Sequence, residues 1–187
     1  KVLDVSNARA RILTACLTAL RNGKESLSLQ SAADEAGVSK PGLMYHFPTK
    51  EALLVGVVEH FVDDWISAVF ARLPGPVEAA TAVDKYRAYV ETLLSAPNDR
   101  AELALTLEVA LRATLGEVWN RSMGELLALP VQGSPSLRVK LLRARMAAEG
   151  YRTAISGSIV RPEADDDIAL QAAIRALLDD LEEGDTP

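Results

Sequence analysis

The sequence predicts an all-α fold in two parts, an N-terminal three-helix domain and a larger helical domain. Three observations predict it. Apolar residues recur at three- and four-residue spacing along almost the whole chain, with no alternating strand pattern. Gly/Pro breaks separate the periodic runs. The charge is also divided: residues 1–50 carry +3 and residues 51–187 carry −9, within a net charge of −6. A basic segment joined to an acidic body suggests a nucleic-acid domain attached to something else. An acidic body should also repel DNA and favour docking by one face. The boundary is drawn at residue 50, giving domains 1–50 and 51–187.

The first helix is expected from Ser6 to Arg21, capped by Ser6 or Asn7. Ile12, Cys16, Leu17 and Leu20 share its apolar face, and Asn22-Gly23 ends it. Its role is to brace the two helices that follow.

The stretch Leu29 to Lys50 carries the most information. Ser28 can cap a helix, because its hydroxyl can accept from the orphan N–H groups of the first turn. Ala32, Ala33 and Ala36 give that helix a small inner face that lets another cross it closely. Gly37 stands where it must end, and glycine takes a left-handed position without steric cost. Val38 plugs the gap beneath the turn. Ser39 caps the next helix, and Pro41 fits a first turn that needs no N–H there. That helix ends near Phe47-Pro48, and Thr49 caps the one after. Caps, glycine, plug and proline fall in the order of a helix-turn-helix, with Lys40 to His46 as recognition helix.

The segment Ala36-Gly37-Val38-Ser39-Lys40, then Leu43, then Tyr45-His46-Phe47-Pro48-Thr49-Lys50-Glu51-Ala52-Leu53-Leu54, resembles the N-terminal domain of TetR-family transcriptional regulators. The resemblance runs from about Ala10 to Phe61. Three positions depart from the family pattern. Met44 stands where a first tyrosine is usual, Ala32 where a larger aliphatic residue is usual, and Gly42 where a small hydroxyl residue is usual. The resemblance implies a regulator, a repressor released from double-stranded operator DNA by a small-molecule ligand. It also implies a homodimer. The alternative is a ligand-independent DNA-binding protein whose second domain only dimerises.

Residue types assign the DNA contacts. Lys40 can donate to guanine O6 or N7. Pro41 offers an apolar contact to a thymine methyl, and Gly42 permits close approach. Tyr45 and His46 are expected at phosphate or sugar, and Lys50 at a phosphate. Ser39, Gln30 and Thr49 complete the set.

A fourth helix is expected over about Lys50 to Leu73, with Leu54, Val57, Val58, Phe61, Val62, Trp65, Ile66, Val69 and Phe70 as its apolar face. It belongs to both parts and is the natural lever between them. Pro74-Gly75-Pro76 stops it. A fifth runs from about Val77 to Ser95, broken by Pro97-Asn98. Asp99 to Leu129 is helical and apolar nearly all round. It is read as the middle of the second domain, divided at Gly116 or Gly124. Pro130 to Pro135 is a loop.

Ser136 caps the eighth helix. Leu137, Leu141, Ala144, Ala148, Tyr151 and Ile155 form a heptad seam along it. Pro162-Glu163 opens a last helix bearing Ile168, Ala172, Leu177, Leu178 and Leu181. Asp165 to Asp167 sit at its N-terminus, where the helix dipole favours anions. The resemblance implies that these two helices pair with their copies in a second subunit. Leu137, Leu141, Ala144, Ala148, Tyr151, Ile155, Leu177, Leu178 and Leu181 are the expected interface. It further implies a ligand pocket, for which His60, Trp65, Tyr86, Tyr89, Glu108, Arg112, Trp119, Met123 and Tyr151 are candidates. Few polar groups are available, so an apolar or aromatic ligand is favoured.

Catalysis has little to work with. Two histidines and one cysteine, without Glu-x-x-His or His-Glu-x-x-His spacing, offer no nucleophile–base pair and no metal cluster. No cofactor is expected. Cys16 lies on an apolar helix face and reads as a structural thiol. A single cysteine suits a reducing cytoplasm, and neither a signal peptide nor a membrane-spanning apolar run is visible. The chain begins at Lys1, so a short native start is expected before it.

Overall fold

The computed structural model describes residues 2–95, 100–129, 135–179 and 181. Among them are nine helices and no strand: α1 Val2–Arg21, α2 Leu29–Ala36, α3 Lys40–His46, α4 Lys50–Phe70, α5 Ala82–Ser95, α6 Arg100–Leu111, α7 Ala113–Leu126, α8 Pro135–Ser156 and α9 Ala164–Ala176. The expected break at Pro97-Asn98 and most of the loop after Pro130 lie outside the described residues. Helices rather than strands follow from the period of the apolar residues. None is long and apolar enough to cross a membrane.

The chain separates into two compact units. One comprises 1–64 with 99–123, the other 65–98 with 124–187. The division falls inside α4, and it returns most of the 99–129 stretch to the N-terminal unit. That stretch therefore does not form the middle of a second core. α6 packs on α1 instead, burying Ala101 and Leu105 while Leu107 stays exposed. On α7, Trp119 stacks on Phe61 of α4 with ring centroids 6.3 Å apart. The stretch is broken at Arg112, not at Gly116 or Gly124, both of which lie inside α7. An interior glycine costs a helix only about 1 kcal/mol. The chain turns at Arg112, where the guanidinium is held by Glu108 at 2.7 Å and by Glu51 of α4 at 3.2 Å.

In the N-terminal unit α1 begins at Val2, so Ser6 and Asn7 lie within it and not at its start. Its end is as expected, with Gly23 at φ 94° and its N–H on the Leu20 carbonyl. Ile12, Leu13, Cys16, Leu17 and Leu20 are buried. Burial pushes the Cys16 thiol up to about 11, so it stays protonated and unreactive.

In the other unit α4 stops at Phe70, three residues short of Leu73. Arg72 then turns back to donate to the Ala68 carbonyl at 2.9 Å. α5 begins at Ala82 rather than Val77, because Thr81 and Asp84 cap it reciprocally. The Thr81 hydroxyl accepts from the Asp84 N–H, and the Asp84 carboxylate accepts from the Thr81 N–H and hydroxyl. α8 begins at Pro135, which leaves Ser136 within its first turn. α5 packs against both α8 and α9, and Tyr86, Tyr89, Val90 and Leu93 are buried.

The heptad seam of α8 therefore turns inward. Leu141, Ala144 and Ala148 have no exposed surface within this one chain, and the small side chains of Ala144 and Ala148 let α5 approach. Leu178 and Leu181 are buried too, beyond the end of α9 at Ala176, as Leu177 is beyond it. Leu137, Tyr151, Ile155 and Leu177 are half-buried. The apolar side chains left exposed are others: Val139, Leu142 and Met146 on α8, and Ile168 and Leu170 on α9. Arg175 holds α9 to α5 through Glu91 at 2.8 Å and keeps that carboxyl below its ordinary range.

One contact fixes how α4 crosses the N-terminal helices. Gly56 is buried, and a Cβ there would stand 2.8 Å from the Phe47 ring and 3.2 Å from both Arg9 and Leu13. Gly56→Ala gains about 1 kcal/mol of helix propensity but overpacks a closed site at a cost on the order of 1–3 kcal/mol. The urea midpoint of Gly56→Ala is therefore expected to fall. A midpoint equal to wild type or higher would mean that Phe47 has room to move.

Candidate nucleic-acid interface

Both ends of the turn between α2 and α3 are held locally. The Ser28 hydroxyl accepts from the Ser31 N–H at 3.0 Å, and the Ser31 hydroxyl oxygen accepts from the Ser28 N–H at 3.0 Å. Gly37 takes φ 63°, and the Val38 N–H reaches back to the Ala33 carbonyl at 3.0 Å. This is the six-to-one closure of a helix that ends in a left-handed residue. Lys24 pairs with Glu35 at 2.9 Å and pins the α1–α2 loop to α2. The Ser39 hydroxyl accepts from the Gly42 N–H at 3.2 Å, with Pro41 in the first turn. The Thr49 hydroxyl accepts from the Ala52 N–H at 3.1 Å and starts α4.

α3 is anchored by Leu43 and, just past its end, by Phe47; both are buried. With about 3.6 residues per turn, Pro41 and Tyr45 then point away from the protein, with Lys40 and Met44 along one flank. All four are exposed, Tyr45 by 75% and Met44 by 41%. His46 is half-buried and meets the Tyr45 ring edge-on at 5.2 Å. Arg9 of α1 lies over the Phe47 ring, 5.1 Å from its centroid, and approaches Glu59 of α4 at 3.9 Å.

The surface of α3 thus offers a lysine, a phenol, a proline and a thioether on a seven-residue helix fixed at both ends. The remaining expected residues are placed nearby in sequence. Thr49 is exposed and Lys50 half-buried at the first turn of α4. The hydroxyls of Ser39 and Thr49 serve as caps, and each keeps its donor and one lone pair for another partner. Gln30 donates to Asp34 at 2.9 Å on its own helix. Gly42 is exposed, and a side chain there would meet the Ser39 hydroxyl at 3.1 Å. Its glycine therefore spares the cap as well as the approach to a partner. Met44 is the surface residue that sequence reasoning left out of the set. Its position one turn after Lys40 was the available signal.

The residues proposed for a ligand are divided between the two compact units. In the N-terminal unit, the His60 Nε2 meets the Thr14 hydroxyl at 3.2 Å. His60 lines a cavity of about 570 Å³ with Arg9, Glu59, Asp63 and Arg121. Glu108 and Arg112 form their ion pair, Trp119 stacks on Phe61, and Met123 is buried.

In the other unit, Trp65 meets Tyr89 edge-on at 4.7 Å. The Tyr89 hydroxyl donates to Glu149 at 2.6 Å, Arg145 pairs with the same Glu149 oxygen at 2.7 Å, and the Arg145 guanidinium lies 5.7 Å from the Tyr89 ring centroid. The Tyr86 hydroxyl donates to the Leu127 carbonyl at 3.0 Å. Burial pushes the Tyr86 phenol above its ordinary range. Arg145 and Glu149 join this cluster without having been picked from the sequence, since charged residues four apart on a helix read as a surface pair. Tyr151 is engaged apart from it, donating to Asp167 at 2.5 Å, and its phenol is raised by burial first and then by that bond. A further cavity of about 530 Å³ lies along α5 and the end of α9, lined by Arg72, Arg87, Glu91, Arg175 and Leu178 among others. Among the described residues no group of His, Cys, Asp and Glu is arranged to hold a metal ion.

Comparison with known proteins agrees with this geometry. Residues 15–57 match the family model described as bacterial regulatory proteins, tetR family. The HTH-type transcriptional regulator RutR of Escherichia coli K12 is 40% identical over 68 residues, and the RutR of Shigella flexneri matches equally. Those residues are 36% of this chain and 32% of the relative, so the match spans about a third of the relatives' length. Two solved structures share the fold over nearly the full length. A Rhodococcus sp. protein described as a TetR-family transcriptional regulator is 18% identical, with a TM-score of 0.71, covering 92% of this chain and 97% of that one. A TetR transcriptional regulator from Rhodococcus sp. RHA1 is 17% identical, with a TM-score of 0.53, covering 95% and 98%. The capped helix-turn-helix thus lies in the stretch that matches the tetR family model, and the fold over nearly the whole chain follows that of solved structures described as TetR regulators.

Proposed function

We propose that this protein is a sequence-specific DNA-binding transcriptional regulator, a homodimeric repressor released from its operator by a small-molecule effector. The observation that carries the DNA-binding part is the outward side of α3. Lys40, Pro41 and Tyr45 stand exposed there on a helix whose other side is anchored by Leu43 and Phe47. A helix so presented fits the major groove, with Lys40 at base edges and Lys50 at a phosphate. The charge division supports the same reading, since the basic segment holds α3 and the acidic remainder repels DNA.

The dimer face follows from what the chain leaves uncovered. Val139, Leu142 and Met146 are exposed at three- and four-residue spacing on α8, and Ile168 is exposed on α9. Paired with their copies, they would bury a seam one step around the helix from Leu141, Ala144 and Ala148. A two-fold partner sets two recognition helices about 34–36 Å apart for successive major grooves.

The effector reading rests on the Trp65–Tyr89–Arg145–Glu149 cluster. Trp65 belongs to α4, the helix whose first turn holds Lys50. An apolar or aromatic ligand against Trp65 would bias that helix and so the spacing of the two recognition helices. A second reading is a ligand-independent regulator. The Tyr86 and Tyr89 hydroxyls already have partners inside the chain, which favours it.

Binding to a pseudo-palindromic duplex selected from a random pool is expected to weaken steeply with salt. Lys50→Ala should weaken all sequences alike and lower the salt slope by about 1. Lys40→Ala should cost on the order of 1–3 kcal/mol and relax one base position. Should Lys40→Ala change neither affinity nor preference, α3 is not the reading helix.

Sedimentation separates the two faces of α8. Met146→Glu places a carboxylate on the exposed face and is expected to yield folded monomers with reduced operator affinity. Ala148→Glu buries an unpartnered charge inside the chain and is expected to lower the melting temperature of the protein itself. An unchanged dimer for Met146→Glu would remove this face from the interface.

Trp65 and Trp119 provide the readout for the switch. A ligand that quenches their fluorescence should bind more weakly in the presence of operator, by the same factor by which it weakens operator binding. Equal ligand affinity with and without operator would favour the ligand-independent reading.

A further inference from the structure

We infer that Met44 is a specificity-determining residue that reads the 5-methyl group of a thymine in the operator half-site. The inference rests on the reading that α3 enters the major groove. Met44 lies one turn after Lys40 on the same flank of α3 and is 41% exposed, although a methionine gains from burial. Leu43 and Phe47 fill the anchoring positions completely, so Met44 is not needed inside. Its thioether carries no hydrogen-bond donor and only a weak acceptor. It cannot hold a phosphate, and it cannot pair with a base edge.

The outward side of α3 therefore has two donors, the Lys40 ammonium and the Tyr45 hydroxyl, and is otherwise apolar: Pro41, Gly42 and Met44. In the major groove the purine and cytosine edges present donors and acceptors, and thymine alone adds a methyl group. An apolar side chain pressed on a donor or acceptor strips it of water without replacement, which is unfavourable. Pressed on a methyl group it removes apolar surface from water on both sides. Methionine has an unbranched chain and several rotatable bonds, so it can adjust to a methyl group from a helix that cannot shift. The caps at Ser39 and Thr49 and the buried Leu43 supply that fixed frame.

The test removes one methyl group at a time. Each thymine of the selected operator is replaced singly by deoxyuridine, which keeps every hydrogen-bonding group of the base. At the position in each half-site that Met44 reads, wild-type affinity should fall about three- to fivefold, in line with loss of one buried methyl contact, and Pro41→Ala should keep that penalty. Met44→Ala should be indifferent to that replacement, and Met44→Leu should restore the dependence. The salt slope should not change, because no phosphate contact is involved. The exposed position makes both variants safe for folding, which circular dichroism verifies. The inference is overturned if Met44→Ala keeps every deoxyuridine penalty of the wild type, or if Tyr45→Ala rather than Met44→Ala abolishes it. A protein that binds no duplex with any preference would instead overturn the DNA-binding reading on which this rests, and the two failures are told apart by the wild-type titration alone.

Discussion

The placement of α3 depends on the burial of Phe47. The ring closes the end of α3 and is itself closed on three sides: Arg9 lies over one face at 5.1 Å, Gly56 lies against an edge where not even a Cβ fits, and Leu13 shares the same contact region. A guanidinium over an aromatic face contributes about 0.5–2 kcal/mol, depending on how dry the site is. Its larger role is geometric. Arg9 comes from α1, Gly56 from α4, and Phe47 from the end of α3, so one ring sets three helices against each other. Any side chain at Gly56 would lift α4 from the ring and carry Thr49 and Lys50 with it.

The rest of the α3 surface follows from this constraint. A seven-residue helix is too short to be stable by itself. It persists because the Ser39 cap, Pro41 and two buried anchors fix it at both ends. Once Leu43 and Phe47 are committed inward, the helical repeat leaves Lys40, Pro41, Met44 and Tyr45 nowhere to go but outward. Recognition groups on a rigid short helix lose little conformational freedom when they meet a partner, which is the condition under which weak individual contacts still discriminate.

Legibility in the sequence follows the range of the physics. Ser28, Gly37, Ser39 and Thr49 were readable because a cap is a local event, complete within four residues. The start of α5 was readable in the same way and was missed. Thr81-x-x-Asp84 is a capping pattern complete within four residues. For the α8 seam the limit is a different one. Periodicity gives the spacing of an apolar stripe but not which stripe faces the chain's own core, and α8 carries two such stripes, Leu141–Ala144–Ala148 and Val139–Leu142–Met146. Only the tertiary partner, α5, decides between them. The turn at Arg112 was invisible for a like reason, since one of the groups that holds it, Glu51, is 61 residues away. In the candidate site, the residues of α3 were largely recognisable. The Arg145–Glu149–Tyr89 cluster was not, because it forms only when α5 and α8 come together.

Arg112 also bears on how the interface meets a polyanion. Glu51 stands beside Lys50 in the first turn of α4, where a bare carboxylate would oppose phosphate binding. Arg112 covers it at 3.2 Å and is itself steadied by Glu108. Side chains this exposed, 36% for Arg112 and 41% for Glu51, give an ion pair that adds little to the fold. Its effect is therefore on the distribution of charge rather than on stability. The α6–α7 junction thus supplies a cation beside the first turn of α4. A tie that contributes so little to the fold can be made or broken at little cost.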